Sequence, residues 1–227
     1  MDEGLSCLSI IVPVLNEAAE IQAGLAALQP LRARRHEVIV VDGGSSDATA
    51  SLAASLTDRV LCAPRGRAAQ MNAGAAAARG DSLLFLHADT RLPDEADRLV
   101  LAALCGREWG RFDVAIQGCH PLLPLVAAAM NRRSRWSGIA TGDQAIFVRR
   151  AAFEAVGGYE AIPLMEDIAL SRVLKRRGPP ACLRERVATS GRRWETRGVL
   201  RTITLMWQLR LAYYCGADPA RLARRYR

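Results

Sequence analysis

Residues 37–49 read EVIVVDGGSSDAT. Val38, Ile39, Val40 and Val41 form an unbroken aliphatic run. That is the pattern of a strand covered on both faces, as in a parallel sheet, where alternation with polar residues is lost. Asp42, Gly43 and Gly44 then break the run. The segment that follows holds helix-capping residues, and Ala48 to Leu56 reads as a helix. Strand, turn and helix make one βα unit, and the fold depends on whether that unit repeats.

It does repeat. LSIIVPV (8–14) is a similar apolar run, followed by an amphipathic helix to about Leu28. RVLCA (59–63) is a third, shorter strand. Ala68 to Ala78 reads as an Ala-rich helix punctuated by Gly80 and Asp81, and SLLFL (82–86) is a fourth strand. Pro93 opens another helix at its first turn. Alternation through residue 104 predicts an α/β fold with a doubly wound, mainly parallel sheet. FDVAIQG (112–118) and QAIFVRR (144–150) read as antiparallel additions to it. Leu122 to Trp136 and MEDIALSRVLKRRG (165–178) read as helices, the second closed by Gly178 and two prolines. A C-terminal amphipathic helix runs from Gly198 to Tyr214, followed by a short basic tail. There is no internal repeat or long linker, so residues 1–227 are expected to form one domain.

Half of the 227 residues are hydrophobic, enough for a packed core, and the formal charge is +8, with Lys175 the single lysine. Excess arginine points to an anionic partner such as nucleotide phosphates, nucleic acid or an acidic membrane surface. A non-catalytic anion- or nucleic-acid-binding protein is the alternative of a different class, and it is disfavoured because aromatics are few and the arginines form no contiguous run. The six cysteines include no C-x-x-C pair, and their apolar neighbours predict reduced, buried, structural thiols. The start Met1-Asp2-Glu3-Gly4 lacks a basic signal region and reads as cytoplasmic. The longest uncharged run, Val114 to Asn131, is interrupted by Gly118, His120, Pro121 and Pro124 and does not read as a membrane span.

Parallel sheets bind ligands beyond the carboxyl ends of their strands. Here those ends carry Asn16-Glu17, Asp42 and, in LLFLHADT (83–90), His87 and Asp89. Asp42 taken alone is better read as a cap or turn former, and the case for a site is that three such ends share one edge. Several known nucleotide devices are absent. The lone lysine lies in VLKRR, which excludes a Walker A loop, and no G-x-G-x-x-G follows a strand. No G-x-S-x-G elbow is present either.

SIIVPVLNE, VIVVDGGSSDAT, GRAAQMNAG and LLFLHADT, in this order, resemble a family-2 glycosyltransferase of GT-A fold over about residues 8–195. The resemblance implies a nucleotide-binding half (1–105), an acceptor half (106–195) and a C-terminal helical segment (196–227). It implies that Pro13, Asn16 and Glu17 flank the nucleotide and that Asp42 contacts the base. Arg67 lies near the nucleotide on the same ground, with Asn72 behind it; read alone, Arg67 is equally a solvated helix-start residue. LLFLHADT falls at the family's D-x-D position, where a divalent cation, Mg²⁺ or Mn²⁺, offsets charge on the leaving diphosphate. Asp89 matches the second aspartate. His87 departs from the pattern, reading as a ligand suited to Mn²⁺, a hydrogen-bond donor to diphosphate or sugar, or a strand-end histidine bonded to backbone.

The resemblance assigns Gly142, Asp143 and Gln144 to the sugar and acceptor pocket, although a structural turn explains them nearly as well. It assigns Asp167 as the general base of an inverting transfer, with Glu166 orienting it. Carboxylates also favour any helix N-terminus. In SGRRWE (190–195), Arg193 is implied to bind diphosphate and Trp194 to line the acceptor cleft or pack a loop. The missing glutamine of Q-x-x-R-W leaves polymer synthesis without support.

The function implied is inverting, metal-dependent transfer from a nucleotide sugar, UDP-linked, to a small-molecule acceptor. The chain resembles a short subfamily associated with radical-SAM enzymes and arsenosugar biosynthesis. Transfer to a polyprenyl phosphate is the alternative, with the C-terminal helix in peripheral contact at the inner membrane face. Closing the fold is the commonest role for such a helix, ahead of a dimer surface or membrane contact. The oligomeric state is left open.

Overall fold

The computed structural model describes residues 7–226. The N-terminal tetrapeptide read above lies outside them. The chain opens with β1 (Leu8–Val14), α1 (Ile21–Ala26), α2 (Gln29–Ala33), β2 (Glu37–Asp42), α3 (Thr49–Ala54), β3 (Arg59–Cys62), α4 (Arg67–Ala77) and β4 (Ser82–Phe85). It continues with β5 (Thr90–Arg91), α5 (Ala96–Gly106), β6 (Trp109–Gln117), α6 (Leu123–Ser137) and a 3-10 turn (Gly142–Gln144). Then come β7 (Phe147–Arg149), α7 (Arg150–Ala155), α8 (Glu166–Arg177), β8 (Ala181–Ser190), α9 (Arg192–Arg197), α10 (Val199–Tyr214) and α11 (Pro219–Tyr226).

The strands form one sheet in the order β3-β2-β1-β4-β7-β6-β8-β5. β3, β2, β1 and β4 run parallel. β7 is antiparallel to both β4 and β6, while β8 is parallel to β6. β8 therefore runs in the same direction as β1, and its carboxyl end reaches the same edge. β7 starts from that edge, so the segment before it arrives there too.

The apolar runs are continuous because successive side chains enter different layers. Ile10, Val12, Val14, Val38, Val40 and Leu84 pack in the layer with α1, α5 and α6. Ile11, Ile39, Val41, Leu83 and Phe85 pack in the other, with α4, α7 and α8. A one-residue slip would exchange the two sets, so register is strongly specified. α4 lies close on the sheet at Gly74, where a Cβ would come 2.4 Å from Ile11 Cγ2. A third cluster joins Ile139, Leu164, Met165 and Ile168 to Leu209 and Leu222 of α10 and α11. One face of the amphipathic C-terminal helix thus closes the fold.

Several expectations are corrected. The first helix stops at Ala26 and a second begins at Gln29, with Pro30 in its first turn. QAIFVRR supplies only three strand residues: the 3-10 turn precedes them and α7 follows. β8 carries a charged, exposed stretch, Arg184-Glu185-Arg186, which hides its strand character from a pattern of apolar runs. Its pairing with β6 is long-range and invisible locally. The thiols are free, but none is buried: Cys62, Cys105, Cys119 and Cys215 are exposed, and Cys7 and Cys182 intermediate. Apolar sequence neighbours do not decide this. Leu104 takes the inward phase of α5 and leaves Cys105 outside.

Away from the carboxyl edge, Asp97 is buried and ties α5 to the segment around β2. Its carboxylate accepts bonds from Arg34 Nε at 2.6 Å and Nη2 at 2.9 Å, and lies 2.9 Å from His36 Nε2. Burial pushes its pKa up, but the Arg34 and His36 hydrogen bonds outweigh that and hold it down to about 2. A depressed carboxylate stabilises fully above its unfolded pKa of about 4, and the gain is lost as pH falls through 2. Denaturant titrations should show about 2 kcal/mol of stability lost between roughly pH 5 and 2. Asp97→Asn should remove most of that dependence, and an unchanged slope would refute the role.

Candidate active site

The edge is built by short polar linkages at the strand ends. After β1, Asn16 adopts a left-handed conformation (φ 55°). Its Oδ1 accepts the Ser46 N–H at 2.8 Å, while its own N–H donates to Ser45 Oγ at 2.9 Å. Glu17 N–H donates to Thr49 Oγ1 at 2.8 Å. Gln70 Nε2 donates to the carbonyls of Val14 and Val41, each at 2.8 Å, clamping the ends of β1 and β2.

Three hollows open along this edge. One, about 420 Å³, includes Glu17, Asp89, Asp143, Arg192, Arg193 and Trp194 in its lining. A second, about 310 Å³, is bounded by Pro13, Glu17, Arg65, Gln70 and Asp89. A small one, about 80 Å³, lies over Gly142, Asp143, Glu166, Asp167 and Arg210. Arg67 and His87 line all three. The sequence-predicted Pro13, Glu17, Arg67, His87, Asp89, Gly142, Asp143, Glu166, Asp167, Arg193 and Trp194 are thus brought together.

Other predicted residues have structural duties. Asp42 is buried and spends its carboxylate on the turn, accepting the Ser45 N–H at 2.9 Å, the Gly44 N–H at 3.2 Å and the Ser45 hydroxyl. Asn72 faces away from the hollows: Nδ2 donates to Tyr159 O at 2.8 Å and Oδ1 accepts the Tyr159 N–H at 2.9 Å. Gln144 is fully buried, and its Oε1 accepts the Thr141 N–H at 3.2 Å. Asn16 is exposed, with its amide oxygen committed to Ser46. Trp194 packs on the core and also lines the hollow of about 420 Å³.

Sequence reading missed Arg65, Gln70, Arg192, Arg210 and Tyr226. Gln70 was detectable: it lies three residues after Arg67, on the same helical face. Tyr226 is brought in by α11, and Arg193 stacks on its ring at 4.1 Å. Arg193 Nη1 is buried with no hydrogen-bond partner among the described residues.

Arg67 is half-exposed, and its Nη1 lies 3.7 Å from Glu166 Oε1. Desolvation weakens its charge, but Glu166 above all, with Tyr226, Asp143 and Asp167, more than compensates and raises its pKa. Burial pushes Glu166 up, and the Asp167 charge adds to this, while Arg67 opposes both. Asp167 Oδ2 accepts the Gly142 N–H at 2.8 Å and Oδ1 the Ile168 N–H at 2.7 Å, which fixes its orientation. His87 Nδ1 lies 3.3 Å from Asp143 Oδ1. Burial would raise the Asp143 pKa, but the His87 hydrogen bond and charge, with Arg67 and Arg210, bring it below the ordinary value. Burial also raises Glu17, against the pull of Arg192.

Among the described residues no three His, Cys, Asp or Glu side chains gather as a metal cage. The donor set is sparse: Asp89 and His87 follow β4, and both line the two larger hollows. Divalent ions that act on phosphates are commonly held this way, with substrate oxygens completing the shell. Asp143 engages Nδ1 of His87, the arrangement that leaves Nε2 as a ligand. Gly142 keeps that side clear, since a Cβ there would lie 2.5 Å from Nε2. These residues fit a divalent ion.

The sequence model of Glycosyl transferase family 2 matches residues 9–119. A PGL/p-HBAD biosynthesis glycosyltransferase of Mycobacterium bovis (strain BCG / Pasteur 1173P2) is 34% identical over 171 residues, 66% of this chain and 62% of the relative. This chain therefore spans about three fifths of the length of such curated relatives. An undecaprenyl-phosphate 4-deoxy-4-formamido-L-arabinose transferase of Pseudomonas fluorescens (strain Pf0-1) is 37% identical over 112 residues, 44% of this chain and 33% of that one. Glucosyl-3-phosphoglycerate synthase from Mycobacterium tuberculosis, solved with Mn²⁺, UDP and glucosyl-3-phosphoglycerate, superposes with a TM-score of 0.58. It is 20% identical and covers 81% of this chain and 71% of its own. The expected α/β fold of GT-A type is confirmed. The sequence matches point to glycosyltransferase family 2 over the first half of the chain, and the solved structures show the shared fold.

Gly142→Ala should displace the His87 ring, at a cost of about 1–3 kcal/mol. Thermal melting should register this loss, and unaltered stability would show that the ring has room to move.

Proposed function

We propose that this GT-A chain of the glycosyltransferase-2 type is an inverting glycosyltransferase using a nucleotide sugar, UDP-linked, and a divalent metal. One observation carries the reading: Arg67 and His87 line all three hollows, two of them bounded by Asp89 and the third by the Glu166-Asp167 pair. The hollow beside Pro13, Arg65 and Gln70 would take the nucleoside, with the diphosphate beside Asp89 and the sugar toward the small hollow.

In this reading Asp167 accepts the proton of the acceptor hydroxyl as its oxygen attacks the anomeric carbon opposite UDP. The two backbone N–H groups on its carboxylate hold it oriented for that transfer. Arg67 balances charge on the departing diphosphate, and Glu166 keeps the guanidinium in place from behind. Asp143 orients the His87 ring. A divalent ion at Asp89 and His87 would supply Lewis-acid stabilisation of the same leaving group.

A small-molecule acceptor, of the arsenosugar type implied by the subfamily resemblance, is the first reading. A polyprenyl phosphate is the second, favoured by the similarity to the undecaprenyl-phosphate transferase. Either acceptor is compatible with a cytoplasmic enzyme.

A thermal-shift screen of UDP, GDP, CDP and dTDP sugars, with and without Mn²⁺, tests the donor. UDP sugars with Mn²⁺ should raise the melting temperature, and Asp89→Ala should abolish the rise. No response to any nucleotide would overturn the proposal. Asp167→Asn should retain the shift while kcat falls by about 10²–10⁴.

A further inference from the structure

The basic charge of this chain is concentrated at one end. Residues 192–226 hold eight arginines and two acidic residues, a surplus of six where the whole chain has eight. Some of these arginines line the active-site hollow, but Arg201 and Arg225 do not.

α10 has two apolar faces. One, with Val199, Thr202 and Leu209, is buried. On the other, Leu200, Trp207, Leu211 and Tyr214 recur at helical spacing and are 70%, 74%, 66% and 54% exposed. Closing the fold accounts for the first face and leaves the second unused.

A groove of about 540 Å³ borders this stripe along the same helix. Arg201, Thr204 and Gln208 of α10 line it, with Arg197 and Arg225. Arg225 Nη2 donates to Gln208 Oε1 at 2.8 Å, which ties the groove walls together. At the far end of the stripe, Arg172 of α8 lies over the Tyr214 ring at 5.9 Å. Leucine and tryptophan on one stripe, flanked by arginine, match the boundary between acyl chains and headgroups.

We propose that this face of α10 docks on a bilayer of anionic phospholipid. Leu200, Trp207 and Leu211 enter the interface, and headgroup phosphates sit in the groove between Arg197, Arg201 and Arg225. Charge complementarity selects this occupant. A second copy would set one strongly basic surface against another, whereas an anionic bilayer neutralises it. No helix among the described residues is long and apolar enough to cross a membrane, so this contact lies on the surface. The groove shares Arg197 and Thr202 with the 420 Å³ hollow of the candidate active site, so docking brings that opening to the bilayer. The proposal stands apart from the sugar-transfer reading.

Co-sedimentation of the full chain with vesicles tests it. Vesicles of phosphatidylglycerol in phosphatidylcholine should bind the protein at about 0.1 M salt, and at least tenfold more weakly at about 0.5 M. Pure phosphatidylcholine should bind at least tenfold more weakly as well. Trp207→Ser with Leu211→Ser, and separately Arg201→Glu with Arg225→Glu, should each weaken binding about tenfold with circular dichroism and melting preserved. In a Trp136→Phe chain, which keeps Trp207, brominated acyl chains should quench tryptophan emission, which tests the contact even if another variant misfolds. Absence of binding, unquenched emission, or wild-type binding by both folded variants would overturn the proposal. So would a concentration-dependent dimer that Trp207→Ser with Leu211→Ser dissolves, because the face would then belong to a second copy.

Discussion

Burial of the central strands on both faces is the constraint from which the rest of this structure follows. β1 lies between β2 and β4, and its side chains enter two separate packed layers. No water reaches either face, so alternation is unavailable and polar residues are driven to the strand ends. Parallel direction then collects those ends on one edge. β8 delivers Arg192, Arg193 and Trp194 to the same edge, and antiparallel β7 brings in the Gly142–Gln144 turn that precedes it. The gathering of these groups on one edge is therefore a consequence of strand direction.

Electrostatic balance at that edge centres on Arg67. Glu166, Asp143 and Asp167 all favour its charge, and Arg67 in turn opposes the burial and the Asp167 charge that raise Glu166. The two members of the Glu166-Asp167 pair are thus differentiated by surroundings. Asp167 is oriented by backbone N–H groups, and Glu166 is buried against a guanidinium. Two adjacent carboxylates on one helix start acquire different surroundings in this way.

Much of this was legible in the chain. The βα repeat through residue 104 follows from unbroken aliphatic runs and turn residues, because those patterns are local. Asp89, His87, Arg67 and Glu166-Asp167 were likewise found at motif positions and do converge. Asp42, Asn72 and Gln144 matched motifs too, yet their polar groups are consumed by a turn, by Tyr159 and by Thr141. A motif states which residue occupies a position, and only packing states which partner its side chain finds. The cysteines make the same point, since apolar neighbours say nothing about which phase of a helix faces inward.

By itself the sequence determined the class of sheet, the edge at which chemistry would gather and the identity of most groups placed there. These depend on periodicity and on the behaviour of polar residues at strand ends, which are properties of a few consecutive residues. Tertiary structure alone decided that β8 pairs with β6, that Gln70 and not Asn72 clamps the strand ends, and that α11 brings Tyr226 over Arg193. Each of these joins segments far apart in the chain. Such pairings are chosen by complementary shape, register and charge in the folded molecule, and no local pattern encodes them.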